Sequence, residues 1–143
     1  MLIVRPIQNK DMQKELCRKA GITYEETAFA YVAALSDDIG ETLSTLLGVL
    51  QFDLDTDCAK LLSTAKMPDT DDTEAMIIMC RAAMDFMHRS CGMKTLVNAS
   101  DETDEKLLED FGFVKKDGQY QIDLELFYKS PCGYKAMMQE KKE

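Results

Sequence analysis

No stretch of about 18 apolar residues occurs in the chain, so no membrane-spanning helix is expected. The start offers no leader pattern either: only Leu2, Ile3 and Val4 follow Met1 before Arg5 interrupts, and the expectation is a cytoplasmic protein without a signal peptide. The five cysteines (Cys17, Cys58, Cys80, Cys91 and Cys132) form an odd, scattered set with no Cys-x-x-Cys pair. They point to reduced thiols rather than a disulfide framework. Seven glycines and three prolines supply no flexible linker, and no internal repeat is present. The expected organisation is one domain over residues 1–138 with a short charged tail, 139–143. Basic residues are also in short supply, 17 Lys and Arg against 26 Asp and Glu, a net charge of −9. That balance excludes a general nucleic-acid binder, which needs a basic face to neutralise phosphates.

What is present suits a globular core. The 143 residues are 45% apolar and 30% charged, enough for one domain without disulfide or metal staples. The acidic charge is concentrated in two places. Residues 69–74 hold Asp69, Asp71, Asp72 and Glu74, and residues 101–110 hold six acids against Lys106. Together these account for the whole net charge, so their position in the fold matters.

Hydrophobic spacing predicts alternating elements. Residues 2–5 read as a first strand ended by Pro6. Residues 11–20 place Met12, Leu16 and Ala20 on one helical face, stopped by Gly21. Residues 28–35 suit helix by their alanines, or strand by Phe29, Tyr31 and the following Asp37-Asp38-Ile39-Gly40 turn. Residues 45–52 (TLLGVLQF) and 58–66 read as paired strands. Asp71 and Glu74 are spaced as a capping box for a helix that runs to Cys91-Gly92 and is apolar nearly all round in its first half, hence central. Residues 94–98 read as a strand and 100–111 as a helix. Residues 113–116, a Lys116-Asp117-Gly118 turn and residues 121–128 read as a hairpin with Ile122, Leu124, Leu126 and Tyr128 on one face. The sum is an α/β domain on a mixed central sheet flanked by helices.

Several constellations have plain readings. Asp53-Leu54-Asp55-Thr56-Asp57 starts like a calcium loop, but position six is Cys58 and position twelve is Thr64, so it reads as a polar turn. His88 and Cys91 share a helix face without the further ligands a zinc site requires, and no metal is expected. Met76, Met79, Met84 and Met87 read as core.

Residues 81–113, RAAMDFMHRSCGMKTLVNASDETDEKLLEDFGF, resemble the GNAT superfamily of acyl-CoA-dependent N-acetyltransferases. A helix ends at Cys91-Gly92, a strand follows at once, and the next helix closes on Phe111-Gly112-Phe113; the order of elements also matches over most of the chain. The resemblance implies a single-domain GNAT-like fold and acetyl-CoA as cofactor if the chain is active, otherwise none. It implies cofactor contacts at Leu62, Ser63 and Thr64 on one strand and at Asp71, Asp72, Thr73, Glu74 and Ala75 where the central helix begins. The sequence departs from the family in two places. The glycine-rich cofactor loop is replaced by Pro68-Asp69-Thr70-Asp71-Asp72, without Gly, Gln or Arg. The family's tyrosine four residues before the Gly of the Gly-Phe pair is Leu108. Asp53, Asp55 and Tyr128 are the remaining candidates for proton transfer, with Tyr120 and Tyr134 elsewhere in the chain. Two functions follow as expectations: N-acetylation of a cationic small molecule or basic peptide by direct amine attack on the thioester, or a non-catalytic module of the same fold that binds another ligand or a protein. A homodimer paired through residues 121–128 is a third expectation.

Overall fold

A computed structural model describes residues 1–36 and 43–129. The predicted 37–40 turn, Cys132, Tyr134 and the 139–143 tail lie outside the described residues. The elements run β1 (Leu2–Pro6), α1 (Lys10–Ala20), β2 (Phe29–Ser36), β3 (Leu43–Leu54), β4 (Cys58–Lys66), α2 (Thr73–Asp85), β5 (Thr95–Asn98), α3 (Glu105–Phe111), β6 (Val114–Lys116), β7 (Gln119–Asp123) and α4 (Leu124–Lys129). The strands form one mixed sheet in the order β1-β2-β3-β4-β5-β7-β6. Every pairing is antiparallel except β4 with β5, which the α2 crossover makes parallel.

Local chemistry accounts for most element ends. Asn9 caps α1 by accepting the Met12 N–H at 3.1 Å, and Gly21 ends it in the left-handed conformation at φ 76°. Residues 28–35, open between helix and strand on propensity, pair on both sides as β2, between β1 and β3. Asp117 and Gly118 both adopt positive φ, 53° and 82°, as a two-residue hairpin turn demands.

The strand β3 sorts the core onto two faces. Val49 packs on the α1 side with Leu16, Cys17, Val32 and Met67, while Leu50 and Phe52 join a larger cluster with the buried faces of α2, α3 and α4. The methionines Met76, Met79, Met84 and Met87 are all within that cluster, as their core reading expects. Contact between α2 and the sheet is close because Gly48 has no side chain: a Cβ there would lie 2.2 Å from Met76 Sδ. Arg81 ties the helices together, donating to the Phe111 carbonyl and standing 4.7 Å over the Phe127 ring.

Four expectations need correction. The α2 cap is Asp72, not Asp71: Asp72 Oδ1 accepts the Ala75 N–H at 3.0 Å. The central helix gives way at Phe86 to a π-helical turn, Phe86–Ser90, and Ile78 on its outer side is exposed. Residues 100–104 are a loop, because the Ser100 hydroxyl accepts the Glu102 and Thr103 N–H groups at 3.0 and 3.1 Å and so holds them out of a helix. Finally, residues 121–128 are not one strand. The Asp123 carboxylate accepts the Leu126 N–H at 3.0 Å and starts α4 there. The preceding β7 lies between β5 and β6, so it offers no free edge for a dimer.

Candidate functional site

The sheet opens where its two parallel strands part. β4 pairs with β5 only over Cys58–Leu61 against Thr95–Asn98, and the last rung is the Ala99 N–H on the Leu61 carbonyl at 2.8 Å. Beyond it β4 continues to Lys66 paired, among the described residues, with β3 alone. A β-bulge falls at this fork: Gln51 faces Ser63 and Phe52 faces Leu61, so Leu62 has no partner in either register. An extra residue of this kind re-aims the backbone and breaks the ladder locally.

The fork leads into a cavity of about 270 Å³. Its walls come from Thr64, Ala65 and Lys66 of β4, Thr73 of α2, Glu102 and Asp104 of the β5–α3 loop, and Lys106, Leu107 and Asp110 of α3. Both acidic segments of the sequence therefore reach the same end of the sheet. They are partly neutralised there. The Lys66 ammonium donates to Asp71 Oδ1 at 2.5 Å and to Thr73 Oγ1 at 2.7 Å, and the bond holds the Asp71 carboxyl below its usual range. The α2 N-terminus, where a helix dipole favours an anion, already receives the Asp72 carboxylate on the Ala75 N–H.

The residues expected to meet a cofactor are distributed unevenly around this cavity. Thr64 and Thr73 line it, with the Thr64 hydroxyl committed to the Val49 carbonyl at 2.9 Å. Leu62 sits at the bulge. Asp71 and Asp72 stand at the α2 entrance, Glu74 is exposed, and Ala75 is buried in the core. Ser63 points to the opposite face of the sheet, where its hydroxyl accepts from Gln51 Nε2 at 2.8 Å.

That opposite face carries a buried polar network absent from the sequence expectations. Gln51 is fully buried and satisfied on both ends. Its amide nitrogen donates to Ser63 Oγ and the Thr23 carbonyl, each at 2.8 Å, and its oxygen accepts from Gln13 Nε2 at 2.8 Å and the Glu25 N–H at 3.0 Å. The network fastens the 21–28 loop to the strand beside the bulge. Its signal in the sequence is a lone glutamine inside the apolar run TLLGVLQF. Lys66 and Lys106, also missed, carried no motif and became notable only on reaching one cavity.

The proton-transfer candidates lie elsewhere. Asp53 and Asp55 are at the far end of β3, opposite the Cys58 end of β4; Asp53 accepts the Leu54 N–H at 2.8 Å and Asp55 stands 3.7 Å from Lys60 Nζ. Tyr128 stacks on His88 at 4.8 Å between ring centroids, beside the α2 C-terminus, and burial pushes its hydroxyl up to about 12. Leu108 is buried in the core. Tyr120 reaches Glu109 Oε1 at 3.4 Å, outside the cavity walls. Among the described residues no group of three His, Cys, Asp or Glu is placed to hold a metal, and no helix is long and apolar enough to cross a membrane.

The mixed sheet flanked by helices that the described residues form, seven-stranded among them, has the fold of the GNAT N-acetyltransferases. Solved structures show the likeness directly. A spermidine/spermine N-acetyltransferase from Vibrio cholerae superposes with a TM-score of 0.62 at 11% identity, over 90% of this chain and 98% of that one. The ribosomal-protein-S18-alanine N-acetyltransferase from Escherichia coli gives 0.59 at 14%, over 85% and 89%. A GNAT family acetyltransferase from Brucella melitensis, solved in complex with acetyl-CoA, gives 0.57 at 14%, over 86% and 88%. No family model matches the chain, and no curated protein matches its sequence.

Proposed function

We propose that the chain binds an acyl-CoA in the fork between β4 and β5 and transfers its acyl group to an amine that arrives as a cation and attacks after losing a proton to solvent, the amide C–N bond forming as the thioester C–S bond breaks and the CoA thiolate taking up a proton. One observation carries this reading: the Leu62 bulge coincides with the end of the β5 ladder and opens on a cavity with two lysines. The fit is good for the acyl-bearing arm, since the chain from Leu62 to Lys66 presents strand backbone that has no partner on the β5 side among the described residues. For the phosphates the fit rests on Lys66 and Lys106 rather than on a glycine loop, because Asp72 already occupies the helix end. When bound, an acyl-CoA supplies a thioester open to attack by an amine.

The protein's own part is placement. The bulged backbone orients the ligand, the Gln51 network ties the 21–28 loop to the strand beside it, and the negative rim formed by Glu102, Asp104 and Asp110 steers a positively charged acceptor, whether a small amine or a basic peptide, toward the protein without itself being the acceptor's seat. Proximity and orientation are what such a site contributes to the rate. No tyrosine lines the cavity among the described residues, so the reading assigns no tyrosine acid.

A second reading has its own observation. The Asp72 carboxylate on the α2 N-terminus, with Leu108 buried where the family has tyrosine, favours a non-catalytic module that takes a basic peptide or polyamine. A thermal-shift titration with acetyl-CoA separates the two. Ligand at about a hundred times its Kd stabilises by roughly 2.7 kcal/mol, a rise of several degrees for a chain of this size. That rise, persisting at moderate salt, is the expected result. No rise at millimolar acetyl-CoA, with a rise for spermine, would establish the second reading instead.

A further inference from the structure

A second cavity, of about 460 Å³, lies at the other end of the sheet, between the β1–α1 connection, the start of β2, Phe52 of β3 and Phe86. Its size falls within the ordinary range of small-molecule sites. Phe29, Tyr31, Phe52 and Phe86 form its aromatic wall, with Ile7 and Lys10 at the β1–α1 side. The rings are ordered against one another: Phe29 stacks on Phe52 at 5.5 Å, and Phe86 meets both at 6.1 Å. Phe29 is nevertheless 45% exposed, a large ring left open to solvent at the cavity mouth. Phe86 is also the first residue of the π-helical turn, a geometry found frequently at functional sites.

Lys10 sets the charge of the ligand. Its ammonium donates to the Ala28 carbonyl at 2.5 Å and to Gln13 Oε1 at 3.1 Å, both neutral acceptors. It forms no ion pair with a carboxylate among the described residues. An ammonium has three donors, so one remains. An aromatic wall alone attracts cations, but a fixed ammonium at its rim repels them and favours a carboxylate. We propose that this cavity is a binding site for a compact aromatic carboxylate, its ring against Phe29, Phe52 and Phe86 and its carboxylate on Lys10. The site does not depend on the acyl-transfer reading.

The test is a two-dimensional amide NMR titration of the full chain with 3-phenylpropionate, 3-phenylpropanol and 3-phenylpropylamine. The carboxylate is expected to give saturable shifts at Ile7, Phe29, Tyr31, Phe52 and Phe86, and to bind roughly tenfold tighter than the alcohol, the worth of one charge-assisted hydrogen bond. Lys10→Met should erase that preference and Lys10→Arg should keep it, while the unchanged spectrum away from the cavity reports that each variant is folded. Equal binding of acid and alcohol, tightest binding of the amine, shifts that map elsewhere, or no saturable shift would each overturn the proposal. So would sedimentation showing a dimer whose formation competes with the probe, which would assign the cavity to a second copy of the chain.

Discussion

Replacing Asp72 by serine isolates the charge at the α2 entrance from the cap that the same side chain provides. Serine caps a helix about as well as aspartate, so the Ala75 N–H keeps a partner and the fold loses at most a few tenths of a kcal/mol. What disappears is one negative charge beside the cavity. A carboxylate and a phosphate about 6 Å apart repel by roughly 0.7 kcal/mol at the dielectric of water and by about 2.8 kcal/mol at an effective dielectric of 20. Asp72 is exposed, so the lower part of that interval applies. Asp72→Ser should therefore tighten acetyl-CoA binding about three- to tenfold, measured by calorimetry at low salt. The gain should fade near 1 M salt, where the screening length shrinks to about 3 Å. Asp71 is the poorer target, since Lys66 already neutralises it and its removal would also release that lysine. Lys66→Met should act in the opposite sense and weaken binding. Unchanged affinity in Asp72→Ser at low salt would refute the placement of the phosphates at the α2 entrance.

Further outcomes follow from the packing and the buried groups. Gly48→Ala should destabilise by about 1–3 kcal/mol in urea unfolding, because its Cβ meets Met76 Sδ and the Ala65 carbonyl; adding Met76→Ala should cost less than the two changes summed. Gln51→Leu leaves Gln13, Glu25, Ser63 and Thr23 each short of a partner, and at about 1–3 kcal/mol per buried orphan the loss should exceed about 2 kcal/mol. Tyr128, whose hydroxyl burial pushes up to about 12 from the ordinary 10.0, keeps its proton in the folded state after the unfolded chain has lost it. Stability should then fall as pH rises between those two values, and Tyr128→Phe should flatten that fall in alkaline melts. Among the four described cysteines, alkylation followed by peptide mapping should find Cys58 and Cys91 labelled first. Cys17 and Cys80, buried and with thiols pushed up to about 11 and about 12, should react only on unfolding.

Elements defined by chemistry close in sequence were readable from it. Gly21 stops α1, Asp117-Gly118 turns the last hairpin, and Gly112 ends α3 at φ 105°, each by a conformation that its own residue favours. β4 was bounded at both ends by its alternation. The boundaries that local patterning does not give are those where competing short-range bonds decide the outcome. Asp71 and Asp72 are equally good caps by type; the choice fell to Asp72 because Lys66, five residues before Asp71, holds Asp71 away. Leu124 and Leu126 fit a strand face as well as a helix, and the Asp123 carboxylate settles the matter in favour of helix. Residues 28–35 became a strand because β1 and β3 flank them, a pairing no local propensity records.

Legible along the chain are the α/β class, the order of elements apart from β2 and α4, the methionine core of α2 and the two acidic segments. These depend on periodicity and composition, which are properties of neighbours along the chain. What the acidic segments meet is set by the packed fold. It set both acidic stretches beside one cavity, brought Lys66 and Lys106 there to offset them, and placed the Leu62 bulge where β5 leaves β4. It also separated Asp53, Asp55 and Tyr128 from that cavity and gathered four aromatic rings around a second one beside Lys10. A site is a convergence of residues distant in sequence, fixed by strand register and helix packing, and no spacing rule encodes that convergence.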